Sequence, residues 1–293
     1  MENHHHHHDQ HHPAAETDEA AMAELLDLDA EVLHSYLSEV TAWIHDLAAD
    51  PPPRRILDLG SGTGTGTFAL LQRFEGADAI ALDISAQLLQ HLRDKARVLG
   101  VADRVRTVQA DLDAAWPAID PVDLVWASSS LHHMADPDRV LTEAFAALHP
   151  GGLLAVIEMD SFPRFLPDGL GLGLGRPGLE ARCHAALAER QADEVPQLGS
   201  DWGSRLSQAG FTIEAERPFA IDLTPPLPAS TGRYAQASLR RIRSGLDGRM
   251  SADDLATLDT LIDSDGPDGV LQRDDLTVRT ARTAWVARRP CGS

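Results

Sequence analysis

The chain has 293 residues, 43% of them hydrophobic and 24% charged, enough to bury a full core in one large domain or one and a half. Asp and Glu (45) outnumber Lys and Arg (25), giving a formal net charge of −20, so a polyanion is repelled overall and DNA or RNA is a poor default substrate. Two cysteines, Cys183 and Cys291, make neither a disulfide framework nor a zinc cluster and fit a reducing cytoplasm, while no apolar run reaches the ~18 residues of a membrane span and no signal-peptide core is expected at the start.

In chain order, "MENHHHHHDQHHP" comes first and holds seven of the fourteen histidines. It reads as a native disordered tail, although a purification tag would have a similar composition. His4, His5, His6, His7 and His8 are dense enough to take up Ni, Zn or Cu adventitiously, and no metal site is expected in the fold itself. Residues 18–49 read as one helix, with Leu33, Leu37, Val40, Ile44 and Leu47 along an apolar stripe. The three prolines of "DPPPRR" stop it.

Strand and helix then alternate. "RILDLG" is a short buried strand, 66–74 a helix and 78–84 a second strand. Ser85 reads as an N-cap, and Leu88, Leu89, Leu92, Ala96 and Leu99 form the next helix's buried face up to Gly100. Strands follow at 104–111 and 122–128. Asp136-Pro137 opens another helix, acid at the cap and proline at the first position, and 153–159 is a fifth strand. Strands apolar on both faces imply a parallel sheet covered by helices on both sides. Ligands of such sheets sit beyond the carboxyl ends of the strands, here 60–66, 83–85, 110–112, 127–133 and 158–162. Further on, 201–210 is a short helix, 211–221 and 282–289 alternate like strands, and Trp202 and Trp285 belong to the core. Two inserts, 161–200 and 222–281, have the place of a lid or substrate pocket. The late arginines (Arg240, Arg241, Arg243, Arg279, Arg282, Arg288, Arg289) read as a solvated face, with a local anion site as the alternative.

The informative stretch is "ILDLGSGTGTGTFAL" (56–70), where Gly60, Gly62, Gly64 and Gly66 separate a strand from a helix. Glycines there let a ligand approach the backbone closely. A dinucleotide fingerprint, G-x-G-x-x-G, needs a third glycine at 65 or 67, and both positions are Thr. What fits is acid-x-G-x-G-x-G: Asp58, Gly60, Gly62, Gly64.

Over about 54–160 the chain resembles a class I S-adenosylmethionine (SAM)-dependent methyltransferase of the small-molecule, ubiquinone-biosynthesis-type branch. "LDLGSGTGTG", "ALDIS", "QADLD", "DLVWASSSLHH" and "LHPGGLLAVIE" resemble its five motifs in order. The resemblance implies an α/β fold, a Rossmann-like seven-stranded, mostly parallel sheet with helices on both faces, an N-terminal cover helix and helical lid inserts. The expected organisation is a disordered tail over 1–17, the cover helix over 18–53 and a SAM-binding core over 54–160. A lid insert over 161–200, a core helix and strand over 201–221, an acceptor or lid insert over 222–281 and a last strand with tail over 282–293 complete it.

The resemblance implies that Asp83 accepts hydrogen bonds from both ribose hydroxyls, a role suited to a carboxylate. Asp111 accepts from the adenine amino group, with Leu112 or Ile84 on the ring. Asp58 orients the glycine loop and the methionine ammonium, and the backbone of Gly60, Ser61 and Gly62, with that of Ala127 and Ser128, approaches the methionine moiety. Each acid has a plainer alternative as a helix-cap or turn residue.

The implied activity is methyl transfer from SAM to O, N or C of a small organic acceptor by in-line displacement, releasing S-adenosylhomocysteine (SAH). Positioning supplies most of the acceleration, and a base is needed only where the acceptor must lose a proton. His133 and His132 are the candidates for it, against a packing role. Tyr36, Glu158 and Asp160 are candidates for the acceptor pocket. The place of an N/D-P-P-Y/F motif holds Ser128-Ser129-Ser130, and no cysteine follows a proline, which disfavours nucleobase methylation. The alternatives are an NAD(P)-dependent oxidoreductase and a non-catalytic SAM- or metal-binding protein. No membrane or nucleic-acid partner is expected, and monomer and homodimer stand equal.

Overall fold

The computed structural model describes residues 13–48, 50–170, 175–195 and 197–291. The histidines His4 to His8 lie outside them. The first helices are α1 (Pro13–Val32) and α2 (His34–Leu47). The stripe expected as one helix is therefore interrupted at Leu33, whose φ of −96° and ψ of 21° bend the chain while its N–H still reaches Asp29 O at 2.8 Å. Helix α1 also begins at Pro13, inside the segment expected as tail. Proline suits the first helical position, and Ala14-Ala15-Glu16 continue it without cost.

The core then runs β1 (Arg55–Leu59), α3 (Thr65–Arg73), β2 (Asp78–Asp83), α4 (Ala86–Val98), β3 (Val105–Gln109), β4 (Val122–Ser128), α5 (Pro137–Ala147) and β5 (Leu148–Arg164). After it come α6 (Leu179–Glu194), α7 (Trp202–Gln208), β6 (Thr212–Leu223), α8 (Thr231–Ser244), α9 (Ala252–Asp263) and β7 (Val278–Arg288). The seven strands form one mostly parallel sheet, as expected, in the order β3-β2-β1-β4-β5-β7-β6, with β7 antiparallel to both neighbours. Helix starts follow their side chains: Ser85 Oγ accepts from Leu88 N (3.1 Å), Asp136 from Arg139 N (3.0 Å) and Asp201 from Ser204 N (2.9 Å).

Strand residues alternate between two cores. Ile56, Leu124, Trp126, Ala155 and Ile157 pack with α2 and α3 on one face. Leu57, Leu59, Val125, Leu154 and Val156 pack with α5 and α7 on the other, where Trp202 and Trp285 lie. Strand β5 outruns the expected 153–159 because β7 pairs with it from Leu153↔Arg288 to Arg164↔Arg279, carrying its far end past the apolar run that marks it in the sequence.

Gly66 lies in the first turn of α3, where an added Cβ would stand 2.4 Å from Trp126 Nε1. Helix propensity alone favours alanine there by about 1 kcal/mol, but Trp126 is fully buried and overpacking costs about 1–3 kcal/mol. Gly66→Ala is therefore expected to lower the urea midpoint. An unchanged or raised midpoint would mean that Trp126 moves aside freely.

Candidate functional site

The sheet order reverses at β1, whose neighbours are β2 and β4, so a crevice opens beyond their carboxyl ends. The glycine loop fills its floor. Gly60 N and Ser61 N both donate to Leu82 O at 2.9 Å, drawing the loop over β2. Gly60, Gly62 and Gly64 have φ of +69°, +53° and +85°, the left-handed region that glycine enters freely.

The glycines do not all clear space for a ligand. A Cβ on Gly60 would lie 2.6 Å from Ser130 Cβ, and one on Gly64 would lie 2.7 Å from both Leu92 and Phe68. With Gly66 against Trp126, three of the four glycines make room for the protein's own side chains. At Gly62 the nearest atom is Leu26 Cδ1, 3.1 Å away, from α1 above.

Asp83, at the end of β2, is buried and takes Gly62 N on Oδ2 (2.8 Å) and Ser85 N on Oδ1 (2.9 Å). Asp58, at the end of β1, is buried and accepts from Thr67 Oγ1 at 2.5 Å. Burial pushes its carboxyl up to about 7, the Thr67 hydroxyl opposing and the Asp83 charge adding to the rise. A carboxylate raised by folding holds a proton that the unfolded chain has released. Its contribution is thus complete below pH 4 and lost as pH rises through 7. Wild-type stability is expected to fall between pH 5 and 8, by on the order of 1–3 kcal/mol from this group. Asp58→Asn should flatten that part of the curve, checked by urea midpoints at the two pH values. Glu180, pushed up to about 7 by burial, contributes the same sign independently.

Ser61, Thr65 and Ser129 have buried hydroxyls without a hydrogen-bond partner among the described residues. Ser129, next to the predicted Ala127 and Ser128, was not singled out from the sequence. It has φ of 53°, a rare conformation for a side-chain-bearing residue and one that concentrates at functional sites. The signal available was three consecutive serines at a strand end. Orphaned hydroxyls are costly unless something meets them.

Of the predicted adenine contacts, Asp111 is exposed and accepts from Asp113 N at 2.9 Å. Leu112 is buried in the core beneath, leaving Ile84, 63% exposed, as the apolar surface free to cover a ring.

After β4 a single 3₁₀ turn, Leu131–His133, carries both histidines. His132 is buried and its Nδ1 is hydrogen-bonded to Glu158 Oε2, while Glu158 Oε1 accepts from Leu131 N at 3.0 Å. Glu158 is thus not an open wall of the acceptor pocket but the partner of His132. The His133 ring lies 4.1 Å from that of His132, centroid to centroid and tilted by 46°, and stays outside that pair. Its imidazole is held down to about 4 by partial desolvation, with the charges of His132 and Arg241 adding to the fall. Asp160 is exposed and accepts from Thr283 Oγ1 at 2.8 Å. Tyr36 is buried edge-on to Phe219 at 5.4 Å, with Arg282 5.0 Å from its ring centroid. Arg282, read with the solvated arginines, is buried. The missed signal was period two in the last strand, where 282 shares a face with the buried Ala284 and Val286.

Helix α1 roofs the crevice. Leu26 rests over Gly62, Glu19 Oε1 accepts from Ser85 Oγ at 3.1 Å, and Asp27 binds His91 (2.8 Å) and Lys95 (2.9 Å) of α4.

Residues 56–152 match the family described as "Methyltransferase domain". The match runs from β1 into β5, so the sheet's first five strands resemble a methyltransferase domain. A demethylmenaquinone methyltransferase of Thermus thermophilus is 34% identical over 119 residues, 41% of this chain and 53% of that protein. A trans-aconitate 2-methyltransferase of Paracidovorax citrulli is 36% identical over 141 residues, 46% of this chain and 51% of that protein. The chain thus spans about half the length of the curated relatives it matches. The crystal structure of the [4+2]-cyclase SpnF superposes with a TM-score of 0.51 at 20% identity, covering 87% of this chain and 82% of that one. It shares the fold of the methyltransferase domain while its name gives another reaction.

Proposed function

We propose that the protein is a SAM-dependent methyltransferase that methylates O, N or C of a small organic acceptor and releases SAH. One observation carries the reading: β1, β2 and β4 bring the glycine loop, the Asp83 carboxylate and the Ser61, Thr65 and Ser129 hydroxyls, buried without partners among the described residues, to one crevice in the stretch that resembles a methyltransferase domain. The residues suit SAM. Asp83 would hold the ribose hydroxyls, Ile84 and Asp111 the adenine, and Asp58 the ammonium, with Ser61, Thr65 and Ser129 offering hydroxyls to the amino-acid end. When bound, SAM supplies an electrophilic methyl group on a sulfonium.

The base falls to His132 rather than His133. With Nδ1–H donated to Glu158, Nε2 carries the lone pair and can accept the acceptor's proton. Asp160 and Tyr36 stay as acceptor-side candidates, the segments 161–200 and 222–281 as lid and acceptor inserts around the 54–160 core, and the cytoplasm as location. No helix among the described residues is long and apolar enough to cross a membrane.

Calorimetric titration with SAM and SAH tests the reading. Micromolar binding of both, with SAH accumulating when SAM and an acceptor panel are supplied, is the expected result. Binding of neither would overturn it.

A further inference from the structure

Arg282 sits at the carboxyl edge of the sheet, paired in register with Met159 of β5 and Phe219 of β6. Its side chain is 9% exposed. Its Nη2 donates to Asp29 Oδ1 at 2.7 Å, and Tyr234 OH donates to the same oxygen at 2.6 Å. Its Nε–H is buried without a partner among the described residues. Tyr36 lies against the guanidinium and edge-on to Phe219, while Tyr234 on the other side of Asp29 has Phe165 edge-on to it at 4.9 Å, so aromatic surface adjoins the group.

The charge balance of the cluster sets what can meet that N–H. Asp29 already neutralises Arg282. A second carboxylate on the same guanidinium would leave a net negative charge in a buried place, which is costly. A neutral oxygen would satisfy the donor without that penalty. Position adds a constraint. Helix α1 touches α8 at Asp29–Tyr234 beside Arg282, and again at Met22–Arg241. The two contacts are seven residues apart on each helix, about 10 Å at 1.5 Å per residue.

The geometry points to Arg282 as a specificity-determining residue that donates its Nε–H to a neutral carbonyl oxygen of an aromatic acceptor. This rests on the proposed methyltransferase reading for the word acceptor, not for the binding itself. Because the N–H is closed off from water, the ligand enters as the seam between α1 and α8 parts.

Three matched phenols test it: 4-hydroxyacetophenone, 4-hydroxybenzamide and 4-hydroxybenzoate, titrated calorimetrically into the full chain with and without SAH. The ketone and the amide are expected to bind at least tenfold more tightly than the benzoate. Arg282→Lys keeps the charge opposite Asp29 but loses the Nε–H, and should weaken both neutral phenols at least tenfold with SAH affinity unchanged. Asp29→Asn removes the neutralising charge and should shift the preference at least tenfold toward the benzoate. Should Arg282→Lys fail to fold, the Asp29→Asn arm decides alone. Benzoate binding as well as the neutral phenols, absence of binding by all three, or an Asp29→Asn preference like wild type would overturn the assignment. Loss of SAH binding alone would overturn the proposed function and leave this one standing.

Discussion

Replacing Asp83 with alanine is expected to lower affinity for SAM and SAH at least a hundredfold while leaving a folded protein. A carboxylate has about four acceptor positions, and Asp83 uses one on each oxygen, for Gly62 N at 2.8 Å and Ser85 N at 2.9 Å. One remains on each oxygen, enough for two neighbouring sugar hydroxyls. Hydrogen bonds to a charged group contribute about 1.5–3 kcal/mol each, so losing two costs two or more factors of ten in Kd. The same substitution frees the glycine loop from β2's end, although Gly60 N and Ser61 N keep their bonds to Leu82 O. Asp83→Asn is the sharper control. Its NH₂ would face either Gly62 N or Ser85 N, donor against donor, and on that side a ribose hydroxyl could only accept from a neutral amide instead of donating to a carboxylate. Titration with SAH beside a thermal melt separates loss of binding from loss of fold. A change of less than threefold would return Asp83 to the role of a loop anchor.

How far the sequence reached depends on which physics each feature used. From β1 to α5 the elements were legible because strand apolarity and helix caps are local, and Ser85 and Asp136 make the cap hydrogen bonds their positions imply. The bend at Leu33 was not, since an unbroken apolar stripe fits a straight helix and a kinked one equally. The glycines showed that backbone freedom was needed but not for whom. Gly64 and Gly66 yield to Phe68, Leu92 and Trp126, and only packing reveals that. His132 and His133 are chemically identical neighbours. Strand β5, which presents Glu158 to one and not the other, separates a buried paired imidazole from a tilted outer one. Arg282 was hidden for the opposite reason: a charged residue reads as solvated unless its strand's alternation is followed through it.

The second large effect concerns that histidine pair. Glu158→Gln is expected to cut turnover about a hundredfold or more, the usual scale for removing general-base assistance, with SAM affinity unchanged within about twofold. Glu158 is as buried as His132, so Gln, of nearly the same shape, keeps the packing that alanine would lose. Its carbonyl can take the Leu131 N–H now held at 3.0 Å. Its NH₂ then faces His132 Nδ1 and donates, which forces the proton to Nε2. The ring stays in place but presents a donor where a base needs a lone pair. Loss of turnover with retained fold and retained SAM binding would identify His132 as the base and Glu158 as its positioning residue. His132→Ala should lose as much, and the double variant no more, because the two act as a unit. Raising the pH discriminates further. If the acceptor's own ionisation can replace the base, turnover of Glu158→Gln climbs toward wild type as the acceptor loses its proton unaided. Unchanged turnover at every pH would mean that the pair only fastens the turn after β4 to the end of β5, and that alignment alone accelerates the transfer.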